Sequence, residues 1–117
     1  MMRQSRTFVG NWHNMEYKIT VTIPARADIA RTGRYIAVEL HSPQSASALV
    51  EEIYATVRNL KNMPKRHALV ADERLAFLGV RAYPINNYLV FYTVDDDTKS
   101  VVVQRILYCM RDWANLL

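Results

Sequence analysis

The sequence predicts an α+β fold in which an antiparallel sheet of about four strands is covered on one face by a two-helix hairpin. Residues 79–113 contain three short runs rich in β-branched and aromatic residues, VRAYPI, YLVFYTV and SVVVQRILY, as expected for neighbouring strands. Asn and Asp separate these runs at residues 86–87 and 95–97, and both tolerate the left-handed backbone of tight turns. The preceding residues contain one strand pattern and two helical patterns, which predicts the order β-α-α-β-β-β.

The first predicted strand covers residues 17–23. Its apolar or aromatic side chains occupy every second position, at Tyr17, Ile19, Val21 and Ile23, as in a half-buried strand. Pro24 ends the strand and suits the first turn of a helix. The first helix is predicted over residues 25–40. Gly33 in its middle predicts a kink or a close contact, because glycine costs a helix about 1 kcal/mol relative to alanine.

The second helix is predicted over residues 44–61, where Ser42-Pro43 resembles an N-cap followed by a first-turn proline. Its apolar stripe consists of Leu49, Ile53, Val57 and Leu60. The short link between the helices predicts an antiparallel hairpin that packs on the sheet. Residues 62–78 are expected to be irregular, with a short helical turn.

The chain of 117 residues is long enough for one domain with a hydrophobic core. We assign this domain to residues 15–117. Residues 1–14 show no regular hydrophobic period, and we interpret them as an N-terminal extension without a function of its own.

The net charge is +4 and the isoelectric point is near 9.4, which indicates an acidic partner without demonstrating nucleic-acid binding. Arg3 and Arg6 contribute two of the positive charges, so 13 basic and 11 acidic residues remain for the domain. The single cysteine, Cys109, fits a reducing compartment, and its place after an apolar strand predicts a buried, inert thiol. No apolar run is long enough to span a membrane, and the start lacks the apolar centre of a signal peptide. A cytoplasmic location without a membrane partner is therefore expected.

Several kinds of active site are not indicated. His13, His41 and His67 are scattered and lack metal-ligand spacing, so no metal is expected. The sequence has no glycine-rich phosphate loop and no nucleophile elbow, so no cofactor is expected either.

Basic and aromatic residues of the three-strand segment are the remaining candidates for a functional site. They are Arg81, Tyr83, Tyr88, Tyr92, Arg105, Tyr108, Arg111 and Trp113. A basic triplet at residues 65–67 lies just before this segment, with Lys65 and Arg66 as further candidates. This triplet is either a surface charge cluster or part of a phosphate site.

Arg105 is unusual among these candidates. Simple alternation predicts that it shares a strand face with Val101, Val103 and Leu107, and an arginine on an apolar face needs an anion or a partner.

Two interpretations of Arg105 remain open. It forms a salt bridge, for example to Asp112 or Glu39, or it joins Arg81 and Arg111 in a cationic concavity flanked by aromatic residues. Such a concavity is suited to a phosphate backbone with stacked bases, or to an acidic peptide.

Three segments resemble the RelE/ParE superfamily of toxins from type II toxin–antitoxin modules. They are MEYKITVTIPARADIA, NMPKRHAL and PINNYLVFYTVDDDTKSVVVQRILYCMRDW, which extend from Met15 to Trp113. The most specific part is the ending, in which YLVFYxV is followed by a turn, VxVxRIL and RDW. The resemblance implies a RelE/ParE-like fold and a toxin of a plasmid stabilisation (addiction) module. A cognate antitoxin would neutralise it through an extended acidic or amphipathic segment that wraps the helices and sheet. A homodimer and a toxin–antitoxin hetero-oligomer are both compatible with it.

The chain departs from the RelE-like branch, whose members are metal-independent, ribosome-dependent messenger-RNA endonucleases. Members of that branch share a basic residue early in the third strand, a second basic residue after the last strand, and a C-terminal tyrosine. Leu89 occupies the first position here, Arg111 matches the second, and no tyrosine follows Trp113. The ParE-like branch poisons DNA gyrase and needs no nuclease residues, and Leu89 is compatible with it.

Three functions are therefore carried forward. The first is a toxin that inhibits a target such as DNA gyrase by binding, with Lys65, Arg66, Arg81, Tyr83, Arg105, Arg111 and Trp113 as candidate target- or RNA-binding residues. The second is a ribosome-dependent mRNA endonuclease with Arg81, Arg105, Tyr108 and Arg111 as candidate catalytic residues. The third is a degenerate toxin that only binds its antitoxin.

Overall fold

A computed structural model describes residues 16–117 of the chain, so the predicted extension at residues 1–14 lies outside the described residues. The predicted order of elements is confirmed. The strands are β1 (Lys18–Val21), β2 (Arg81–Ile85), β3 (Tyr88–Asp95) and β4 (Ser100–Tyr108). The helices are α1 (Ile23–Arg34), continued by a π-helical turn (Tyr35–Glu39), then α2 (Pro43–Asn59) and the short α3 (Glu73–Phe77). Two 3₁₀ turns cover Pro64–Arg66 and Trp113–Asn115.

The sheet is mixed and has the strand order β1-β4-β3-β2. The β2–β3 and β3–β4 pairs are antiparallel as predicted, but β1 pairs with β4 in the parallel direction. The expectation of a fully antiparallel sheet is therefore wrong for β1. After the helices, β2 runs in the same direction as β1, and two reversals in the three-strand segment return β4 to that direction. A helical crossover is the kind of connection that parallel strands require.

A β-bulge interrupts the pairing of β3 with β4. Phe91 lies opposite Arg105, whereas the next residue, Tyr92, lies opposite Val103. Gln104 is therefore an extra residue on β4, and the alternation of side chains shifts by one position at this point.

The bulge changes the face on which Arg105 lies. Val101 and Val103 pack in the core beneath the helices, whereas Leu107 and Phe91 pack in a second cluster on the opposite face. The prediction that Arg105 shares a face with Val101 and Val103 is wrong, because simple alternation does not account for the inserted residue.

Each face of the sheet has its own apolar core. The four predicted residues of the α2 stripe, Leu49, Ile53, Val57 and Leu60, are all buried on the helix side, which confirms that part of the prediction. The opposite face is covered by α3 and the C-terminal residues, through Leu75, Trp113, Ala114, Leu116 and Leu117. This second layer was not anticipated from the sequence.

Thr22 joins the first strand to the first helix. Its N–H donates to the Val103 carbonyl at 3.1 Å, and its side-chain oxygen accepts from the Ala25 N–H at 3.1 Å as an N-cap. Tyr17, Ile19 and Val21 pack against the core as the alternation predicts. Ile23 does not, because it is already helical and its side chain is 81% exposed.

The two long helices approach closely near Gly33. A Cβ atom at this position would lie 3.1 Å from Cγ2 of Val50, so the glycine permits the contact that its place in the helix pattern predicted. Beyond it the chain widens into the π-helical turn. That turn leaves Tyr35 and Leu40 more than half exposed at the end of the hairpin.

Both predicted turns of the three-strand segment are present. Asn86 adopts a φ of 52° between β2 and β3, and the Asp95 carboxylate accepts from the N–H groups of Asp97 and Thr98 after β3. Cys109 contradicts its prediction, because it follows the end of β4 and its side chain is exposed.

The α2 stripe predicts a large stability effect. Ile53 is fully buried between α2 and the sheet, so Ile53→Ala should lower the free energy of unfolding by about 2–5 kcal/mol, because it removes apolar contacts and leaves a cavity. Chemical denaturation of both proteins measures this difference. The exposed Glu51→Ala change in the same helix is the control and should shift stability by less than about 0.5 kcal/mol. Equal effects of the two changes would contradict this packing.

Candidate protein-binding site

A buried carboxylate closes the part of β4 that has no neighbouring strand. β1 ends opposite Val103, so the outer edge of β4 is unpaired beyond that point. The Thr22 hydroxyl donates to the Gln104 carbonyl at 2.9 Å, and Asp28 of α1 accepts the Ile106 N–H at 3.0 Å. The helix thus supplies the hydrogen-bond partners that a longer β1 would have supplied.

Asp28 also accepts hydrogen bonds from two arginines. Arg105 donates from Nε at 2.7 Å and from Nη2 at 2.9 Å to the two carboxylate oxygens, which makes a bidentate pair. Arg31, one turn further along α1, donates from Nη1 at 3.1 Å. Burial alone would raise the pKa of the Asp28 carboxyl, but the bonds from Arg105, Ile106 N–H and Arg31 hold it below its usual value.

In the structure Arg105 forms a salt bridge, which is the first of the two interpretations. Its partner is one that the sequence did not indicate. Asp28, rather than Asp112 or Glu39, is its counterion. Its remaining Nη1 donates to the Leu116 carbonyl at 3.2 Å. The guanidinium therefore links α1, β4 and the C-terminal residues.

Two of the other four predicted cations, Arg81 and Lys65, also have partners within the chain. Arg81 donates from Nη1 to the carbonyls of His67 at 2.7 Å and Lys65 at 3.3 Å. The Lys65 ammonium pairs with Asp96. Tyr83 packs against the His67 ring with 3.8 Å between centroids. These side chains hold the link between α2 and β2 against the edge of the sheet.

Two further candidates have different surroundings. Trp113 packs on Phe91 at 5.1 Å between ring centroids and belongs to the second core. Arg66 is exposed. The predicted candidates thus occupy separate places, and the concavity expected from Arg81, Arg105 and Arg111 together is not formed.

A groove of about 850 Å³ lies between the end of the helix hairpin and the ends of β3 and β4. We call it the tip groove. It is lined by Asp28, Arg31, Thr32, Tyr35, Ile36, Leu40, Ser45, Leu49, Asn86, Asn87, Tyr88, Ile106, Leu107, Tyr108 and Arg111.

The tip groove combines an apolar lining with phenol rings and two guanidinium groups. Tyr88 and Tyr108 meet edge to face at 5.6 Å between centroids, and burial together with the neighbouring phenols raises the pKa of Tyr88. Tyr35 remains 52% exposed across the groove. Arg31 and Arg111 place positive charge beside this apolar surface. The groove is therefore suited to a protein segment that carries apolar or aromatic anchors and a carboxylate.

Of the candidate residues named from the sequence, the tip groove brings together Tyr88, Tyr108 and Arg111. Sequence reasoning missed Arg31, because a single arginine in a predicted helix carries no signal that separates it from a solvent-exposed side chain. It also missed the exposed apolar and aromatic residues of the π-helical turn. Their signal in the sequence is weak, since Tyr35 and Leu40 fit the same helical spacing as core residues.

The chain matches the family model described as the ParE toxin of the type II toxin–antitoxin system, parDE, over residues 19–113. The chain belongs to the ParE toxin family. It is accordingly a toxin of the type II toxin–antitoxin class. The match covers the four strands except Lys18, the three α-helices and every residue that lines the tip groove. No curated protein matches the chain.

Solved structures of similar fold include proteins of this class. One belongs to the chromosomal ParDE toxin–antitoxin system of P. aeruginosa, with a TM-score of 0.65 and 22% identity, and the match covers 80% of this chain and 97% of that one. Another belongs to the toxin–antitoxin complex RelBE2 of Mycobacterium tuberculosis, with a TM-score of 0.55, 22% identity, and coverage of 80% and 98%. A mutant E. coli toxin RelE in the free state gives a TM-score of 0.62 at 13% identity, covering 87% and 93%. These similarities show that the ParE-family chain has the RelE/ParE-like fold.

Two kinds of feature are absent from the described part of this ParE-family chain. Within residues 16–117, no three His, Cys, Asp or Glu side chains are grouped as a metal site. Among the same residues, no helix is both long and apolar enough to cross a membrane.

The Asp28–Arg105 pair predicts a strong effect on stability. Asp28→Ala should lower the free energy of unfolding by about 3–5 kcal/mol, because it leaves Arg105 and the Ile106 N–H without their buried partner. Urea denaturation of the two proteins measures the difference. Lys18→Ala, an exposed change on β1, is the control. A loss below about 1 kcal/mol would show that Asp28 does not close the edge of β4.

The lowered pKa of Asp28 also predicts a pH dependence. The folded protein binds this proton less readily than the unfolded chain does, so the stabilisation is complete above the usual carboxyl pKa of 3.8 and is lost as pH falls through the lower folded value. Asp28→Asn should flatten the acid part of a plot of unfolding free energy against pH. Parallel curves for the variant and the original chain would contradict the assignment.

Proposed function

We propose that this ParE-family toxin acts by binding and inhibiting a protein target, DNA gyrase, and that it does not cleave RNA. A cognate antitoxin neutralises it in the cytoplasm. The single observation that carries this proposal is the tip groove, whose apolar lining and flanking arginines suit a protein segment. Apolar and aromatic anchors beside arginine are the usual energetic centre of protein interfaces.

The hydrogen bonds and ion pairs that the candidate basic residues form within the chain favour binding over RNA cleavage. Metal-independent cleavage requires cations that are free to stabilise the charge on the phosphorane. Arg105 is bound to Asp28, Arg81 donates to two backbone carbonyls, and Lys65 pairs with Asp96. Leu89, at the position where the RelE-like branch has a basic residue, packs against the second core.

One observation keeps the endonuclease as a second candidate. Tyr108 and Arg111, both candidate catalytic residues, lie in the same groove and are joined there by Arg31. A phenol and two guanidiniums are groups that act on a 2′-hydroxyl and a phosphate. Under this alternative the tip groove receives mRNA on the ribosome.

We propose that electrostatic attraction between the basic toxin and an acidic segment of the antitoxin brings the two proteins together. The domain is basic, and Arg31 and Arg111 flank the apolar part of the groove, so an acidic amphipathic segment is attracted and oriented by them. The solved toxins of similar fold from P. aeruginosa and M. tuberculosis belong to toxin–antitoxin systems, which supports a protein partner for this chain. Occupation of the tip groove would then compete with binding of the target.

Paired assays in a bacterial host test the target. Induced expression should remove plasmid negative supercoiling or trap gyrase–DNA breaks, while messenger RNA remains intact. Purified protein should likewise inhibit DNA supercoiling by gyrase. Cleaved transcripts with normal supercoiling would overturn the proposal in favour of the endonuclease. Harmless expression of correctly folded protein would instead indicate the degenerate toxin.

Charge reversal tests the groove itself. Arg111→Glu should reduce gyrase inhibition at least about tenfold, because it places a repulsive charge where an acidic segment is expected. Arg34→Glu is the matched control, since Arg34 is exposed on α1 and lies outside the tip groove. Circular dichroism verifies the fold of both variants. Equal inhibition by the two variants would remove the groove from the proposal.

A further inference from the structure

The link between α2 and β2 is held over the sheet by a small number of defined contacts. We call residues 63–68 the Pro64 loop. The fully buried Tyr92 donates its hydroxyl proton to the Pro64 carbonyl at 2.6 Å. Arg81 donates to the carbonyls of His67 and Lys65. The loop begins at Met63, whose φ of 52° is unfavourable for a residue other than glycine.

His67 is the titratable residue at the centre of these contacts. Its ring packs on Tyr83 with 3.8 Å between centroids and 35° between the planes. Its Nε2 atom is buried and has no hydrogen-bond partner among the described residues. A neutral imidazole tolerates an unpaired, unprotonated nitrogen far better than an imidazolium tolerates a buried N–H without an acceptor.

The charges around His67 oppose its protonation. Lys65 and Arg66 directly precede it in the loop, and the Arg81 guanidinium of β2 donates to the His67 carbonyl. The phenol rings packed against the loop are those of Tyr83 of β2 and Tyr92 of β3. The acidic group among these contacts is Asp96, which is paired with Lys65 and accepts a hydrogen bond from the Tyr17 hydroxyl.

We propose that His67 is an acid-sensitive latch, and that its protonation releases the Pro64 loop from β2 and β3. Release frees the Arg81 guanidinium and uncovers the Tyr83 ring, both of which contact the closed loop. The closed loop thus covers a cationic, aromatic surface. This proposal concerns a surface separate from the tip groove and does not depend on gyrase being the target.

The direction of the pH effect follows from the environment of the ring. Desolvation, reinforced by Arg66, lowers the pKa of His67 below its ordinary value of 6.5. The open loop, in which the ring meets water, therefore binds the proton more readily than the closed loop. The closed state is fully favoured above the ordinary pKa and loses stability as pH falls below it.

Amide hydrogen exchange, followed by NMR on the full chain, tests the latch. The reporters are the N–H groups of Arg66, Val70 and Ala82, which donate to Met63, Val80 and Ala68 respectively. After correction for intrinsic exchange rates, their opening should increase about tenfold between about pH 7.5 and about pH 5.5. The Ala46 N–H of α2, which donates to Ser42, should show no such increase.

Two variants separate the latch from general acid sensitivity. His67→Phe retains a ring against Tyr83 but has no titrating nitrogen, so its reporters should remain protected at both pH values. His41→Phe, in the exposed link between α1 and α2, should behave like the original chain. Reporters that open equally in His67→Phe, or do not open at all in the original chain, would overturn the proposal.

A direct titration keeps the proposal testable if His67→Phe fails to fold. The ring proton shifts of His67 in the original chain should give a pKa below 6.5. The exposed His41 provides the internal comparison. A pKa for His67 at or above that value would show that closure does not oppose protonation, and the latch would be rejected.

Discussion

The structure depends on one buried carboxylate at the part of the β4 edge that no neighbouring strand pairs. β1 is only four residues long, so the second half of β4 would present unpaired backbone groups to the interior beneath α1. Asp28 enters this position from the helix, accepts the Ile106 N–H, and neutralises its own charge against Arg105. A buried carboxylate without such partners would be strongly disfavoured. The pair therefore fixes how α1 lies on the sheet and which end of β4 remains available to line a groove.

The same interaction separates the arginines into structural and accessible groups. Arg105 is taken up by Asp28 and by the Leu116 carbonyl, which ties the C-terminal residues to the helix layer. Arg31 shares Asp28 but stays 60% exposed beside the tip groove. This division supports the proposed action through a shaped apolar surface with a few cations, rather than through a cluster of catalytic arginines.

The two faces of the sheet are covered by different parts of the chain. The helix side holds the larger core and ends in the tip groove, whereas the other side is closed by α3 and the C-terminal residues. The edge at β2 carries the Pro64 loop, with Tyr92 and Arg81 satisfied by its carbonyls. The tip groove and the Pro64 loop are therefore separate surfaces on one small scaffold.

The sequence alone determined the elements and their order, because hydrophobic periodicity and turn chemistry are local properties. The α2 stripe of Leu49, Ile53, Val57 and Leu60, the turns at Asn86 and Asp95, and membership of the RelE/ParE superfamily were all readable from it. Only the tertiary structure decided the parallel placement of β1 and the bulge at Gln104, since both depend on strands far apart in the chain. The partner of Arg105 was undecidable from the sequence for the same reason: Asp28 precedes it by 77 residues, and only packing brings them together. That packing also decided that Tyr108 and Arg111 meet Arg31 in a groove, while Arg81 and Lys65 are engaged elsewhere.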